Sequence, residues 1–183
     1  MKKALIIIAV LIVLGIAAYF VFSKINKNKE EAPVAQSTIK ITSSAFQEGE
    51  EIPAKYSCRG ENVNPDLKIS GVPSDAKSLA IILDDPDAPA GVWTHVILAN
   101  IDPTTNEIPE NSAPQGTVIG KNSSGETKYD GPCPPSGTHR YYFKVFALES
   151  MLDLQNGFSR SELEEAMEGH ILAQGQMMGK FSK

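Results

Sequence analysis

Hydrophobic and polar positions divide this 183-residue chain into an unbroken apolar run, a polar stretch and a body of short alternating segments. Ala4 to Phe22 holds no charged residue. A helix of that length spans about 28 Å, close to the roughly 30 Å hydrocarbon core of a bilayer. The pattern predicts a transmembrane signal anchor at 4–22 behind a short flank at 1–3. A cleaved signal peptide is the alternative. Its apolar region is usually shorter, and Tyr19-Phe20-Val21-Phe22 is a poor cleavage context, although Ala17-Ala18 keeps it open. Residues 23–37 are polar, unperiodic and rich in like charges, which reads as a flexible tether. Residues 38–183 are the right size for one domain with its own core.

Within that body, Thr38–Thr42 and Asp66–Ser70 alternate as strands do. Ser78–Leu83 is apolar enough for a central strand, and 92–100 has the same character. Residues 117–120 suggest a short strand, 54–57 a short extended piece and 101–108 an irregular stretch. The strongest strand is Arg140–Leu148; both of its faces are largely apolar, which predicts burial on both sides. Ser159 with Glu162 three residues on fits a capping box. Leu163, Met167, His170, Ile171 and Gln174 then follow at helical spacing, with Gly175 as the stop and a short strand at 177–181. Many strands and one late helix predict a mainly β sandwich with a helical appendage.

Charge narrows the function. Beyond residue 31 the chain has twelve Lys and Arg against twenty Asp and Glu. That balance argues against nucleic acid, which needs basic stripes, and against broad adhesion to anionic lipid. A single anion in a local pocket is still allowed. Lysines flank the apolar run almost evenly, so the positive-inside rule decides little. The three-residue flank favours a cytoplasmic N-terminus, which makes this a single-pass membrane protein with its body outside the cytoplasm. Cys58 and Cys133 match no zinc motif. In an extracytoplasmic body they would pair as a disulfide; two separate buried thiols are the alternative.

Two stiff loops carry the chemistry. Asp85-Pro-Asp87-Ala-Pro leads through Gly91 to Trp93 and His95. Gly131-Pro-Cys-Pro-Pro leads to His139, Arg140 and Tyr141. Proline presets φ and removes donors, so both loops should hold a shape. Aspartates between strands are often mere turn formers, but two histidines at equivalent loop-to-strand positions point to a shared pocket. His170, on the apolar side of the expected helix, reads as structural.

These segments, with Tyr56-Ser-Cys-Arg-Gly-Glu-Asn-Val-Asn-Pro65, Gly120-Lys-Asn-Ser-Ser-Gly125 and Gly169-His-Ile-Leu-Ala, resemble the phosphatidylethanolamine-binding protein family, and in particular its bacterial and archaeal, Raf-kinase-inhibitor-like branch. The resemblance covers about 38–183. It implies a Greek-key antiparallel β-sandwich of one large and one small sheet, a C-terminal helix beside the pocket, and a cavity for phosphate-like anions. It carries Asp85, Asp87, Trp93, His95, Gly131, His139, Arg140 and Tyr141 into the ligand site, with the Gly131 backbone facing the ligand and Phe181 as a counterpart of an aromatic residue near the pocket. The aspartates would orient the imidazoles or hold a ligand's amine. Arg140 would enter the pocket or pair outward with an aspartate. No cofactor is implied. The expected function is a membrane-tethered binding or regulatory module for phosphate or a phospho-headgroup, modulating an unidentified protein partner. The alternative is a metal-dependent hydrolase built on the His/Asp cluster, with Cys133 open to a thiol role.

Overall fold

The apolar run at Ser78 forms the middle of the large sheet. β4 (Ser78–Asp85) is buried at every position, as a strand covered on both faces should be. It pairs antiparallel with β5 (Trp93–Ile101) on one side and β8 (Thr138–Leu148) on the other. β9 (Ile171–Ser182) extends the sheet beyond β8, and β7 (Val118–Ile119) beyond β5. A second sheet holds β2 (Lys40–Thr42), β3 (Leu67–Ser70) and β6 (Glu107–Ile108), in that order. The spatial order β8-β4-β5-β7 is that of a Greek key.

The structure is a computed structural model and describes residues 36–37 and 39–183. The anchor expected at 4–22 and all but the end of the tether lie outside the described residues. Among the described residues no helix is long and apolar enough to cross a membrane. Residues 36 and 37, read from sequence as the end of the tether, form β1 (Gln36–Ser37), a short strand parallel to β9 at the sheet edge.

Alternation along β4 separates two cores. Leu79, Ile81 and Leu83 face the small sheet and pack with Ile41, Leu67, Ile69 and Ile108. Ala80 and Ile82 face the other way and pack with Leu163 and Met167 of helix α1 (Arg160–Met167). β8 departs from the expected two-sided burial. Tyr141, Phe143, Val145 and Ala147 are buried, whereas Tyr142, Lys144 and Phe146 on the outer face are half-buried. An eight-residue helix is only about 12 Å long and covers part of that face.

α1 is also shorter than its spacing suggests. The capping box forms as expected, with Ser159 accepting from the Glu162 backbone and Glu162 answering the Ser159 backbone. Gly169 then takes a positive φ of 78°, a left-handed conformation that ends helices. His170, Ile171 and Gln174 are therefore not helical; Ile171 opens the twelve-residue strand β9 and Gln174 lies within it. The helix is not C-terminal either: the chain closes on a strand, and α1 packs on the outer face of the sheet. Residues 54–56 form a 3-10 turn rather than an extended piece.

Two clamps fix the loops at one end of the sandwich. Cys58 and Cys133 form a disulfide with Cα atoms 5.5 Å apart, and the Cys58 amide donates to the Pro132 carbonyl. This ties the 54–62 segment to the loop before β8. The β4–β5 loop is docked by Asp87, whose Oδ2 accepts from the Arg140 amide (2.9 Å) and Nε (2.8 Å) while Oδ1 accepts from Nη2 (2.6 Å).

Both clamps have measurable consequences. The cysteines are 75 residues apart, and closing a loop of that length is worth about 4 kcal/mol in the chain-entropy treatment. Reduction or Cys133→Ser should lower the urea-unfolding free energy by roughly that amount; an unchanged midpoint would refute it. The Arg140 hydrogen bond holds the Asp87 carboxyl at about 2, below its usual 3.8. A depressed carboxylate adds stability that is fully present above the usual value and lost as the pH falls through that interval. Wild type and Arg140→Ala should thus differ in stability at pH 6 and converge towards pH 2, measured by urea unfolding across that range.

Candidate functional site

The inner face of the large sheet ends in polar groups. The last inner residue of β4 is Asp85; β5 starts with Trp93, directly opposite it; the first inward residues of β8 are His139 and Tyr141. Partners across a ladder share a face, so strand pairing alone gathers these side chains.

His95 needs a further device. Leu83 pairs with Val96, yet Asp84 pairs with Thr94, which leaves His95 as the extra residue of a β-bulge. Thr94 faces the helix side, where it donates to Asp84, and Val96 faces inward opposite Leu83; counted back from Val96, strict alternation would turn His95 outward. The bulge brings it to the inner face, where its ring stands edge-on to Tyr141 at 5.3 Å between centroids. Its Nδ1 lies 2.6 Å from the Asp130 carbonyl. A carbonyl only accepts, so Nδ1 carries the proton and Nε2 is bare in the neutral ring. Burial lowers the His95 pKa, which keeps the ring neutral at pH 7. Nε2 is buried without a partner, as is the Tyr141 hydroxyl. Burial, then the nearby Asp85 carboxylate, raises the Tyr141 phenol well above its usual pKa.

His139 is held by Asp85, whose Oδ2 lies 2.7 Å from its Nδ1, both groups being buried. The other Asp85 oxygen accepts from the Asp87 amide at 2.9 Å and turns the loop. The imidazole thus has one nitrogen committed and leaves Nε2 for a ligand. Asp85, Trp93, His95, Asp130, Gly131 and His139 line one cavity of about 260 Å³, with Pro89 and Pro135 at its rim.

Other expected site residues lie elsewhere. Asp87 and Arg140 engage each other on the outer side of the strand, so Arg140 takes the outward of its two readings, and neither lines the cavity. Tyr141 lies beneath His95 in the core rather than on the wall. Gly131 is on the wall, but its N–H donates to Asn62 Oδ1 at 2.7 Å and does not face a ligand. A Cβ there would strike the Tyr56 carbonyl and Asn62; the glycine is required by this close approach. Phe181 sits opposite His139 in the ladder, buried beneath the Arg59 guanidinium, and is not part of the wall. α1 supplies no lining residue. With Cys133 in the disulfide, no free thiol remains.

Three residues that sequence reading passed over help build the site. Asp130 exchanges two backbone-level bonds with His95, donating its amide to the His95 carbonyl and accepting the imidazole N–H. Asn122 is buried and organises the preceding loop: its Oδ1 accepts from the Ser124 and Glu126 amides and its Nδ2 donates to the Lys128 carbonyl. Asp84, one residue before Asp85, is buried on the opposite face. It pairs with Lys144 at 2.9 Å and with Arg160 at the start of α1, fastening the helix beneath the site. The only sequence signal for Asp84 was a carboxylate at the end of an apolar strand.

The fold is shared with known proteins. The profile of the phosphatidylethanolamine-binding protein family matches residues 42–182. A UPF0098 protein of Methanothermobacter thermautotrophicus is 46% identical over 150 residues, covering 79% of this chain and 99% of the relative. The crystal structure of a phosphatidylethanolamine-binding protein homologue from Chlamydia trachomatis superposes with a TM-score of 0.77 at 41% identity, covering 81% of this chain and 99% of its own. Escherichia coli YbcL, described as a member of the mammalian family, superposes with a TM-score of 0.75 at 29% identity, covering 80% and 99% respectively. Both solved chains consist almost entirely of the matching region, so in those relatives the domain is folded with no long segment before it. The chain belongs to the phosphatidylethanolamine-binding protein family.

Proposed function

We propose that the domain is a ligand-binding module whose pocket takes a small phosphate-type anion and holds it without turnover. The observation that carries this reading is the convergence of two imidazoles, each with one nitrogen committed, on a single small cavity. His139 is oriented by Asp85, and His95 by the Asp130 carbonyl. In both rings Nε2 is the nitrogen left for a ligand. Once protonated, each ring donates a charge-assisted hydrogen bond to an anionic oxygen, the stronger kind of such bonds. Asp85 accepts the hydrogen bond from His139 Nδ1 and so fixes which ring nitrogen is left for the ligand.

A metal-dependent hydrolase fits less well. It needs several convergent ligands, and among the described residues no three of His, Cys, Asp and Glu lie close enough to hold an ion. Asp85 and Asp87 are already committed to His139 and Arg140.

The apolar run at 4–22 would hold this module at a membrane, with the body outside the cytoplasm. The disulfide supports an oxidising compartment. Occupancy of the pocket is then the signal that a protein partner reads.

Dimethyl phosphate, a monoanion with no proton to give, is the clean probe. His139→Ala should weaken its binding about 10- to 100-fold, the loss expected for a hydrogen bond to a charged group, measured by calorimetry. No binding to wild type would sink the proposal. Because burial holds His95 neutral in the free pocket, anion binding draws a proton in. Affinity should therefore rise as the pH falls from 8 to 6, with proton uptake visible as a buffer-dependent binding enthalpy. Affinity independent of pH would exclude imidazolium capture.

A further inference from the structure

We infer that the sandwich has a second ligand site, separate from the polar pocket, that takes an uncharged aliphatic molecule with one neutral hydrogen-bonding end. The site is a cleft of about 360 Å³ between the two sheets. It exists because the sandwich does not close at one side: β6 and β7, the strands on that side of each sheet, have two residues each. Its floor is the inner core itself, with Leu67 and Ile108 from the small sheet facing Ile81, Leu98 and Phe143 from the large one.

The chemistry of the walls sets the ligand class. A large, mostly apolar cavity with a few polar groups is the usual form of a small-molecule site. A dry cavity of about 150 Å³ admits a six-carbon ring, so one of this size suits roughly ten to fourteen carbons. The mouth offers no unpaired charge. Lys128 is paired with Glu126 at 2.9 Å. Asn64 is spent on its own loop: its Oδ1 accepts from the Ser112 amide and its Nδ2 donates to the Pro65 and Pro109 carbonyls. What remains is neutral: the Asn62 Nδ2 amide and the side chains of Asn111 and Ser112. A carboxylate or ammonium would lose its hydration there without gaining a counter-ion. A hydroxyl or carbonyl finds a partner.

The two sites meet at one wall. Asn62 lines the cleft, and its Oδ1 accepts the amide of Gly131, which lines the polar pocket. Tyr129 lines the cleft two residues before Gly131 and donates to the Tyr56 carbonyl at 2.8 Å. The ligand in the cleft therefore packs against the segment that carries Asp130.

1-Decanol tests this on residues 36–183, the part equivalent to the solved relatives. Wild type should bind one decanol per chain saturably in calorimetry, with a raised unfolding temperature, and decanoate should bind at least tenfold more weakly. Ile119→Trp, which fills the cleft from a half-buried position outside the polar pocket, should cut decanol affinity at least tenfold and leave dimethyl phosphate binding unchanged. Val96→Phe is a second plug should the first unfold the domain. Asp85→Asn should weaken dimethyl phosphate and keep decanol, so the two sites fail separately. Absence of saturable decanol binding, or decanol binding unaltered in a folded plugged variant, overturns the site. Equal binding of decanoate overturns the neutral end.

Discussion

The carboxylate–imidazole contact between Asp85 and His139 is where the architecture and the chemistry of this protein meet. It forms because two adjacent antiparallel strands bring their inner faces to the same end of the sandwich, just where the apolar core stops. Everything that steadies those strand ends steadies the contact. Asp84, buried on the reverse face, ties the same stretch of β4 to Lys144 and to the first turn of α1. Successive acids on one strand thus face opposite ways and serve opposite layers. A buried charge is tolerable only when fully paired, and Asp84 meets that condition with two cations and a hydroxyl.

Much of this was legible in the sequence, for physical reasons. The central strands carry enough consecutive apolar residues to announce themselves, and the capping box is a local signal whose partners lie three residues apart. The Cys58–Cys133 disulfide was one of two readings that the sequence left open, and Asp85 was expected to orient an imidazole, as its contact with His139 does. The misreadings cluster where two periods coincide. Leu163, Met167, Ile171 and Gln174 fit a helical spacing, but from Ile171 onward the chain also alternates. Only the left-handed Gly169 decides between them.

Other features leave no local trace. The bulge that turns His95 inward is a property of the β4–β5 register, not of the residues around it. The Gly131 amide is claimed by Asn62, 69 residues away in sequence, so no motif could show that it was unavailable to a ligand. Arg140 and Asp87 illustrate the same limit. Both belong to the signature that marks the site, yet their task is to dock a loop. A family motif records which residues are needed together, without separating the groups that touch a ligand from those that hold the wall.

The disulfide between the 54–62 segment and the pocket loop has a consequence for the life history of the molecule. The loop that delivers Gly131 and Asp130 to the site is fastened by a bond that a reducing cytosol does not sustain. Until that bond forms, the loop that carries Asp130 and Gly131 is held to the 54–62 segment by hydrogen bonds alone. The rigidity of the binding wall is therefore coupled to the redox state of one bond, because reduction of Cys58–Cys133 removes the covalent tie between the pocket loop and the 54–62 segment.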